Sequence, residues 1–224
     1  GNYVEFSRLS PKFEQGFPGD LEQRIRYTLT DNNELIIDYR MATNETTVVN
    51  PTNHTYFNLN GQDNGNILQH RLEIYANSFL EIDEDFVPKG TILNVENIRM
   101  DFRIKKIIGK QIDYNNVQIR RAKGYDHNYV FTNDGKLKKM AKLYCDESGI
   151  TMTVYSDLCG MQLYTGNFLD GVVGKGGTRY EEKAGICFET QYYPNACNEE
   201  HFPSSVLKAG QTYKSRTIYE LAVS

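Results

Sequence analysis

The sequence contains no tryptophan, only six prolines and only four histidines among 224 residues. No apolar run approaches the roughly 18 residues that a membrane-spanning helix needs. Acidic residues (29) and basic residues (25) are mixed along the chain, so no basic face for nucleic acid or an anionic membrane is evident. The opening residues, GNYVEFSRLS, lack the charged start and apolar stretch of a secretory signal. We therefore expect a cytoplasmic protein without a nucleic-acid or membrane partner.

Motifs for metal and cofactor binding are also missing. The four cysteines, Cys145, Cys159, Cys187 and Cys197, form no C-x-x-C pair, and neither H-E-x-x-H nor H-x-H occurs. We interpret the cysteines as free thiols in a reducing compartment. The sequence has no G-x-S-x-G for a catalytic serine, and its GKGG stretch lacks the Lys-Ser/Thr ending of a P-loop. No metal and no cofactor are predicted.

Aromatic residues are abundant, with 16 tyrosines and 11 phenylalanines, and they occur in short segments with partial apolar–polar alternation. Turn-forming stretches such as TDNNE and DESG separate these segments. The alternating segments are YVEFSRL, QRIRYTLT, ELIIDYRMAT, HRLEIYA, KMAKLYCD, ITMTVYSD, MQLYTGN, GICFETQYY and RTIYELAVS. They predict an all-β fold, a large antiparallel β-sandwich, built as a single domain over residues 1–224.

Residues 99–113 (RMDFRIKKIIGKQID) are the one stretch with some helical periodicity. The stretch carries Gly109 and has no good helix cap. We predict a loop there with at most one short helix.

The histidines differ in their candidacy for chemistry. His54, in NPTNHTYFNLNG, is either a hydrogen-bonded residue at a strand end, which spacing alone favours, or a general acid. His70 lies in an alternating segment and is predicted at the surface or in a cross-strand pair, and His201 is predicted in a turn. Because His127 directly follows Asp126, their side chains point to opposite faces of an extended segment.

Glu189 lies in a largely apolar stretch, AGICFETQYY. Burying an unpaired carboxylate there is costly, which leaves two alternatives. Either an Arg or Lys pairs with Glu189 for structural reasons, or the carboxylate has a catalytic use.

Four blocks, NPTNHTYFNLNG, GYDHNYVF, QLYTGNFLDG and ETQYYPNACNEEHFPSSVLKAGQTY, together and in this order resemble the aldose 1-epimerase family. The similarity runs from about Val4 to the C-terminus, and SPKFEQGFPGDL is similar to a further family segment. The resemblance implies a mutarotase-type β-sandwich that interconverts the α and β anomers of a free aldohexose, galactose or glucose. It also implies that no metal or cofactor takes part.

The resemblance also assigns roles. It implies that His54 is the general acid and Glu189 the general base, and that Tyr56, Asp126 and Gln162 contact the monosaccharide. We expect the imidazole and the carboxyl group to face each other across a hexose-sized hollow.

The sequence departs from the family in lacking the G-R-x-x-N-R and L-H-G-G blocks, which supply a substrate-binding arginine and a second histidine. The resemblance therefore implies an N-terminally truncated chain with impaired activity, unless a second chain supplies the missing strands. Two alternatives follow: a carbohydrate-binding module without turnover, and a hexose-phosphate epimerase. The latter would need a cluster of arginines at the pocket, and the GNFLDG and ETQ blocks are more similar to the free-sugar branch.

Overall fold

The computed structural model describes residues 2–223, so Gly1 and Ser224, the last residue of the predicted C-terminal strand, lie outside the described residues. Within this range the chain is built mainly of strands, with one short α-helix, α1 (Val117–Ala122), and three single-turn 3-10 helices, Glu14–Gly16, Gly109–Gln111 and Lys175–Gly177. The strands are β1 (Tyr3–Ser10), β2 (Leu21–Leu29), β3 (Glu34–Thr43), β4 (Thr47–Val48), β5 (Arg71–Ile74), β6 (Ser78–Ile82), β7 (Pro88–Asn94), β8 (Lys106–Ile107), β9 (Asp126–Val130), β10 (Lys138–Tyr144), β11 (Ile150–Ser156), β12 (Gly160–Tyr164), β13 (Val172–Val173), β14 (Arg179–Tyr180), β15 (Cys187–Gln191), β16 (Val206–Leu207) and β17 (Thr212–Val223).

Two large sheets carry the fold. The larger has eight strands in the order β1-β2-β3-β17-β11-β10-β5-β8, and the smaller has five in the order β15-β12-β9-β6-β7. Neighbouring strands pair antiparallel in both sheets. The predicted antiparallel β-sandwich is confirmed, whereas the single-domain assignment stays a prediction.

The core lies between the two sheets, because alternate side chains of each strand point toward the other sheet. In β3, Ile37, Tyr39 and Met41 are buried. Two residues tie the sheets directly: Tyr219 on β17 donates its hydroxyl hydrogen to the Phe188 carbonyl on β15 at 2.9 Å. The small sheet therefore has one face in the core and leaves the other free to carry a site.

Residues 99–113 are mostly loop, as predicted, and contain the two-residue β8 and one 3-10 turn. The sequence did not reveal α1, since six residues are too few to show helical periodicity. Its cap is present in the sequence, because the Asn116 side chain accepts hydrogen bonds from the backbone of Gln118 and Ile119.

The prediction of a surface or cross-strand position for His70 is wrong. Its ring is only 2% exposed, and Nε2 accepts a hydrogen bond from the Leu59 backbone N–H at 3.1 Å. Burial lowers the pKa of His70 to about 4, so the ring is neutral. His70 thus holds the residues that follow His54 against the core.

β1 forms one edge of the large sheet and pairs only with β2 among the described residues. Its apolar side chains, including Val4 and Phe6, are exposed on this edge.

No helix within residues 2–223 has both the length and the apolar character needed to cross a bilayer. The cytoplasmic location stays a prediction.

Candidate functional site

Three neighbouring strands of the small sheet, β9, β12 and β15, carry most of the candidate site. Their registers place even-numbered residues of β9 and β12 opposite odd-numbered residues of β15, so these side chains share the face that points away from the core. The two adjacent rows on this face are Asp126–Tyr164–Cys187 and Asn128–Gln162–Glu189. Residues far apart in sequence therefore become direct neighbours.

The intervening residues point the other way. His127, Leu163 and Phe188 form a paired row that is completely buried in the core. The expectation that Asp126 and His127 point to opposite faces is confirmed. Burial lowers the pKa of His127 to about 3, so this imidazole is a neutral core residue.

The segment 50–57 runs beside β15 and brings His54 next to Glu189. Hydrogen bonds at both ends of the segment fix it to β15 and its flanking residues. These bonds run from Asn50 Nδ2 to Tyr192 O (3.0 Å), from Tyr192 N to Asn50 Oδ1 (2.8 Å), from Thr52 Oγ1 to Thr190 O (3.0 Å), and in both directions between the backbones of Phe57 and Ile186 (2.8 and 2.9 Å). The position of His54 is thus set by side-chain hydrogen bonds before it and backbone hydrogen bonds after it.

All five residues that the resemblance assigned to the site line one hollow of about 450 Å³: His54, Tyr56, Asp126, Gln162 and Glu189. The hollow lies within the usual size range of small-molecule sites. A larger cavity of about 690 Å³ lies beyond Tyr56, between segments 58–66 and 172–185, but none of the other four residues lines it. We place the candidate site in the smaller hollow because the polar groups converge there.

The arrangement of the proposed acid and base differs from the expectation. His54 Nε2 lies 3.3 Å from Glu189 Oε1, so the two groups are side by side in the hollow rather than opposite one another across it. The reason is the hydrogen bonding of segment 50–57 to β15, which keeps His54 close to the strand. The hollow extends from this pair toward Asp126 and Gln162.

Burial and a neighbouring charge both act on Glu189. Its residue surface is 8% exposed, and burial, together with the charge of Asp126, raises the pKa of the carboxyl group from 4.5 to about 7. Among residues 2–223 its ion-pair partner is His54, and the structure shows no Arg or Lys in that role. The structural pairing considered from the sequence is therefore absent in this range.

Asp126 is held by Gln162, whose Nε2 donates a hydrogen bond to Asp126 Oδ1 at 2.6 Å. Burial raises the pKa of Asp126, while this hydrogen bond and the charge on His54 act in the opposite direction. Because Gln162 occupies one carboxylate oxygen, Oδ2 is left to receive hydroxyl groups.

Aromatic rings form one wall of the hollow. The rings of His54 and Tyr56 have centroids 5.0 Å apart, and Tyr164 and Phe168 are stacked at 6.5 Å with an angle of 18° between their planes. Tyr164 also accepts a hydrogen bond from the Phe168 backbone N–H. Such rings offer an apolar surface for the C–H face of a sugar.

The sequence reasoning did not single out Tyr164, Phe168 or Cys187. Tyr164 and Cys187 could have been found from strand parity, because each lies two positions from a proposed site residue, Gln162 or Glu189. Phe168 lies in a turn after β12, where no periodicity reports its direction. Cys187 also offers a sulfur ligand beside His54 and Glu189.

Solved structures have the same fold. The chain superposes on an aldose epimerase homologue from C. elegans with a TM-score of 0.88 and 29% identity, covering 99% of this chain and 66% of that one. A galactose 1-epimerase from Lactobacillus acidophilus gives a TM-score of 0.85 at 24% identity, with 99% and 63% covered. The fold is therefore that of the galactose mutarotase-like β-sandwiches.

Sequence comparisons identify the family. The aldose 1-epimerase family model matches residues 1–220, so the chain belongs to the aldose 1-epimerase family. The galactose mutarotase of Bos taurus is 41% identical over 224 residues, and the aldose 1-epimerase of Escherichia coli K12 is 34% identical over 220 residues. These matches cover 100% and 97% of this chain but 64% and 63% of the relatives, so the chain spans about 64% of their length.

Proposed function

We propose that the protein is an aldose 1-epimerase that interconverts the α and β anomers of a free aldohexose, with Glu189 as general base and His54 as general acid. The observation that carries the proposal is the 3.3 Å contact between His54 Nε2 and Glu189 Oε1 in a hollow that Asp126 and Gln162 also line. Family membership supports the same reaction class.

The side-by-side arrangement suits the chemistry. The ring oxygen and the anomeric hydroxyl oxygen of an aldose are bonded to the same carbon, C1, so two adjacent groups reach both at once. Glu189 takes the proton from the anomeric hydroxyl, and protonated His54 gives a proton to the ring oxygen as the C1–O5 bond breaks. The product is the open-chain aldehyde.

Epimerisation follows from rotation about the C1–C2 bond, which presents the other face of the carbonyl to the C5 hydroxyl. On ring closure, Glu189 returns its proton to the oxygen on C1, and His54 takes the proton of the C5 hydroxyl. The pair regains its starting protonation state, and no covalent intermediate forms. Each proton transfer contributes roughly 10²- to 10⁴-fold to the rate.

The raised pKa of Glu189 fits the role of a base. A carboxyl group with a pKa of about 7 is a stronger base than an ordinary one and is still substantially ionised at neutral pH. The burial that raises this pKa therefore serves the reaction.

The other residues position the sugar. Asp126 accepts hydroxyl hydrogens on its free oxygen, Gln162 fixes Asp126, and Tyr56 lines the rim between the two cavities. The names of the mammalian relatives favour galactose as the aldose, with glucose as the second candidate.

Polarimetry on freshly dissolved α-galactose tests the proposal. The protein should accelerate the approach to anomeric equilibrium, and Glu189→Gln or His54→Asn should reduce kcat/KM by roughly 10²-fold or more. The matched control is His201→Asn, because His201 is exposed in a turn outside the hollow, where its ring is hydrogen-bonded to the Gly90 carbonyl. Unchanged turnover in Glu189→Gln would refute the assignment of the base.

The competing function is a carbohydrate-binding module without turnover. The observation in its favour is the 50% exposure of the His54 side chain, which leaves the acid–base pair open to water. Calorimetric binding of galactose without any acceleration in the polarimeter would establish this function. Acceleration that both site variants abolish would exclude it.

A further inference from the structure

Three side chains that differ in chemistry converge beside the hollow: His54 and Glu189 line it, and Cys187 is fully buried next to them. One ligand atom each from His54, Cys187 and Glu189 lies within 4.8 Å of the other two, and this is the one group of its kind in residues 2–223. We propose that these three residues form a binding site for a thiophilic divalent cation, with Zn²⁺ as the ion that fits, and that the bound ion closes the hollow to sugar. The metal site goes beyond the proposed function, and only the exclusion of sugar rests on that function.

The distances match the coordination of zinc. A tetrahedral Zn²⁺ with nitrogen and oxygen ligands at about 2.0 Å holds those two atoms about 3.3 Å apart. His54 Nε2 and Glu189 Oε1 lie 3.3 Å apart. The sulfur of such a site lies about 3.6 Å from the other ligands, so the Cys187 thiol needs to approach by about 1 Å at most.

The backbone fixes two of the three ligands. Cys187 and Glu189 are two positions apart on β15, so their side chains share one face of the sheet. The segment 50–57, bonded to β15, holds His54 on the same side. Because the ligands come from a C-x-E pair and a distant histidine, no zinc spacing is visible in the sequence.

The local charge favours a cation. Asp126 and Glu189 line the same hollow, so a second carboxyl group lies near the proposed ligands. Binding through the Cys187 sulfur releases the thiol proton. Thiophilic ions such as Zn²⁺, Cd²⁺ and Co²⁺ bind a thiolate in this way and Mg²⁺ does not.

The site is buried at Cys187 and Glu189 and open at His54, whose side chain is half exposed. The rings of Tyr56 and Tyr164 lie 5.0 and 5.9 Å from the His54 ring, measured between centroids. Three protein ligands with an open fourth position resemble the geometry of zinc sites that keep a water. Because the ion would occupy both His54 and Glu189, metal binding and sugar binding exclude each other.

The probe for the test is Co²⁺ added to chelator-treated protein, followed by displacement with Zn²⁺. We expect a near-ultraviolet thiolate-to-cobalt absorption band that Zn²⁺ removes, and a Kd for Zn²⁺ in calorimetry that is about tenfold or more weaker in Cys187→Ser. The matched control is Cys197→Ser, which removes the one exposed free thiol among the described cysteines and should leave both signals unchanged.

Two results would overturn the site: absence of the cobalt–thiolate band in the wild-type protein, or a band that disappears with Cys197 and persists in Cys187→Ser. Glu189→Gln gives an independent reading, because it should weaken Zn²⁺ binding while retaining the thiol. Far-ultraviolet circular dichroism checks that each variant is folded. Since binding is measured directly, a failed metal site and a failed epimerase assignment are distinguishable.

Discussion

Replacing Glu189 by Gln should stabilise the folded protein while removing the proposed base. The buried carboxyl group has a pKa of about 7 in the folded state and an ordinary value of 4.5, so between these values the folded state binds more protons than the unfolded state. Stability therefore falls as pH rises through this window, and the full cost of the ionised carboxylate is present above pH 7. At about 1.4 kcal/mol per pH unit, the difference corresponds to about 3 kcal/mol.

Gln has nearly the shape of Glu but does not ionise, so the variant escapes this cost. We expect the free energy of unfolding of Glu189→Gln to exceed that of the wild type by up to about 3 kcal/mol at about pH 8, and to equal it below pH 4.5. Urea denaturation followed by tyrosine fluorescence at several pH values measures the difference, with an unchanged m-value as the check on two-state unfolding.

The pH dependence of the stability difference between Glu189→Gln and the wild type shows whether burial raises the pKa of Glu189. A constant difference between the two proteins from pH 4.5 to above 7 would show that burial does not raise this pKa. A wild type that is the more stable protein at about pH 8 would show that the ionised carboxylate is a net stabilising group, held by protonated His54. Either result would remove the energetic basis for Glu189 as an activated base.

Three further substitutions test other parts of the structure. Asp126→Asn should lower the pKa of Glu189, because the Asp126 charge raises that pKa. The acidic limb of the pH–rate profile measured by polarimetry should therefore move to lower pH, and KM should rise. An acidic limb at the same pH would contradict the coupling between the two carboxyl groups. Tyr219→Phe removes the hydrogen bond to the Phe188 carbonyl between the sheets and should lower the free energy of unfolding by about 1 kcal/mol. An unchanged midpoint in urea denaturation would contradict this. Burial lowers the pKa of His127 to about 3, so the folded wild type does not take up a proton on this ring as the pH falls below 6.5, whereas the unfolded chain does. The free energy of unfolding of His127→Leu should therefore rise relative to the wild type by about 1.4 kcal/mol per pH unit below 6.5. Parallel plots of unfolding free energy against pH for the two proteins would contradict this.

The sequence was sufficient for the sheet architecture because alternation reports which face of a strand is buried. ELIIDYRMAT coincides with β3 residue for residue. Alternation failed where both faces are covered, as in β9, whose residues His127 to Tyr129 are all buried. It also misplaced His70, since a ring that accepts a backbone hydrogen bond in the core gives the same sequence pattern as a surface residue.

For the candidate site, the family resemblance selected residues that the structure brings into one hollow, and their roles stay predictions. What the sequence could not supply was their relative placement. His54 is fixed by bonds from Asn50, Thr52 and Phe57 to residues more than a hundred positions away, and no local pattern encodes such contacts. A second chain that supplies the missing strands, the alternative to impaired activity, stays a prediction.

Because side chains alternate between the two faces of β9, β12 and β15, the same fifteen residues both pack the core and form the face that carries the hollow. Even-numbered positions on β9 and β12 and odd-numbered positions on β15 lie on the face that carries the hollow, while their immediate neighbours point toward the core. A substitution at Gln162 or Tyr164 can therefore reshape what the hollow accepts without disturbing Met161 or Leu163 behind it. Sequence change on this surface could alter the hollow while the sandwich beneath it remains the same.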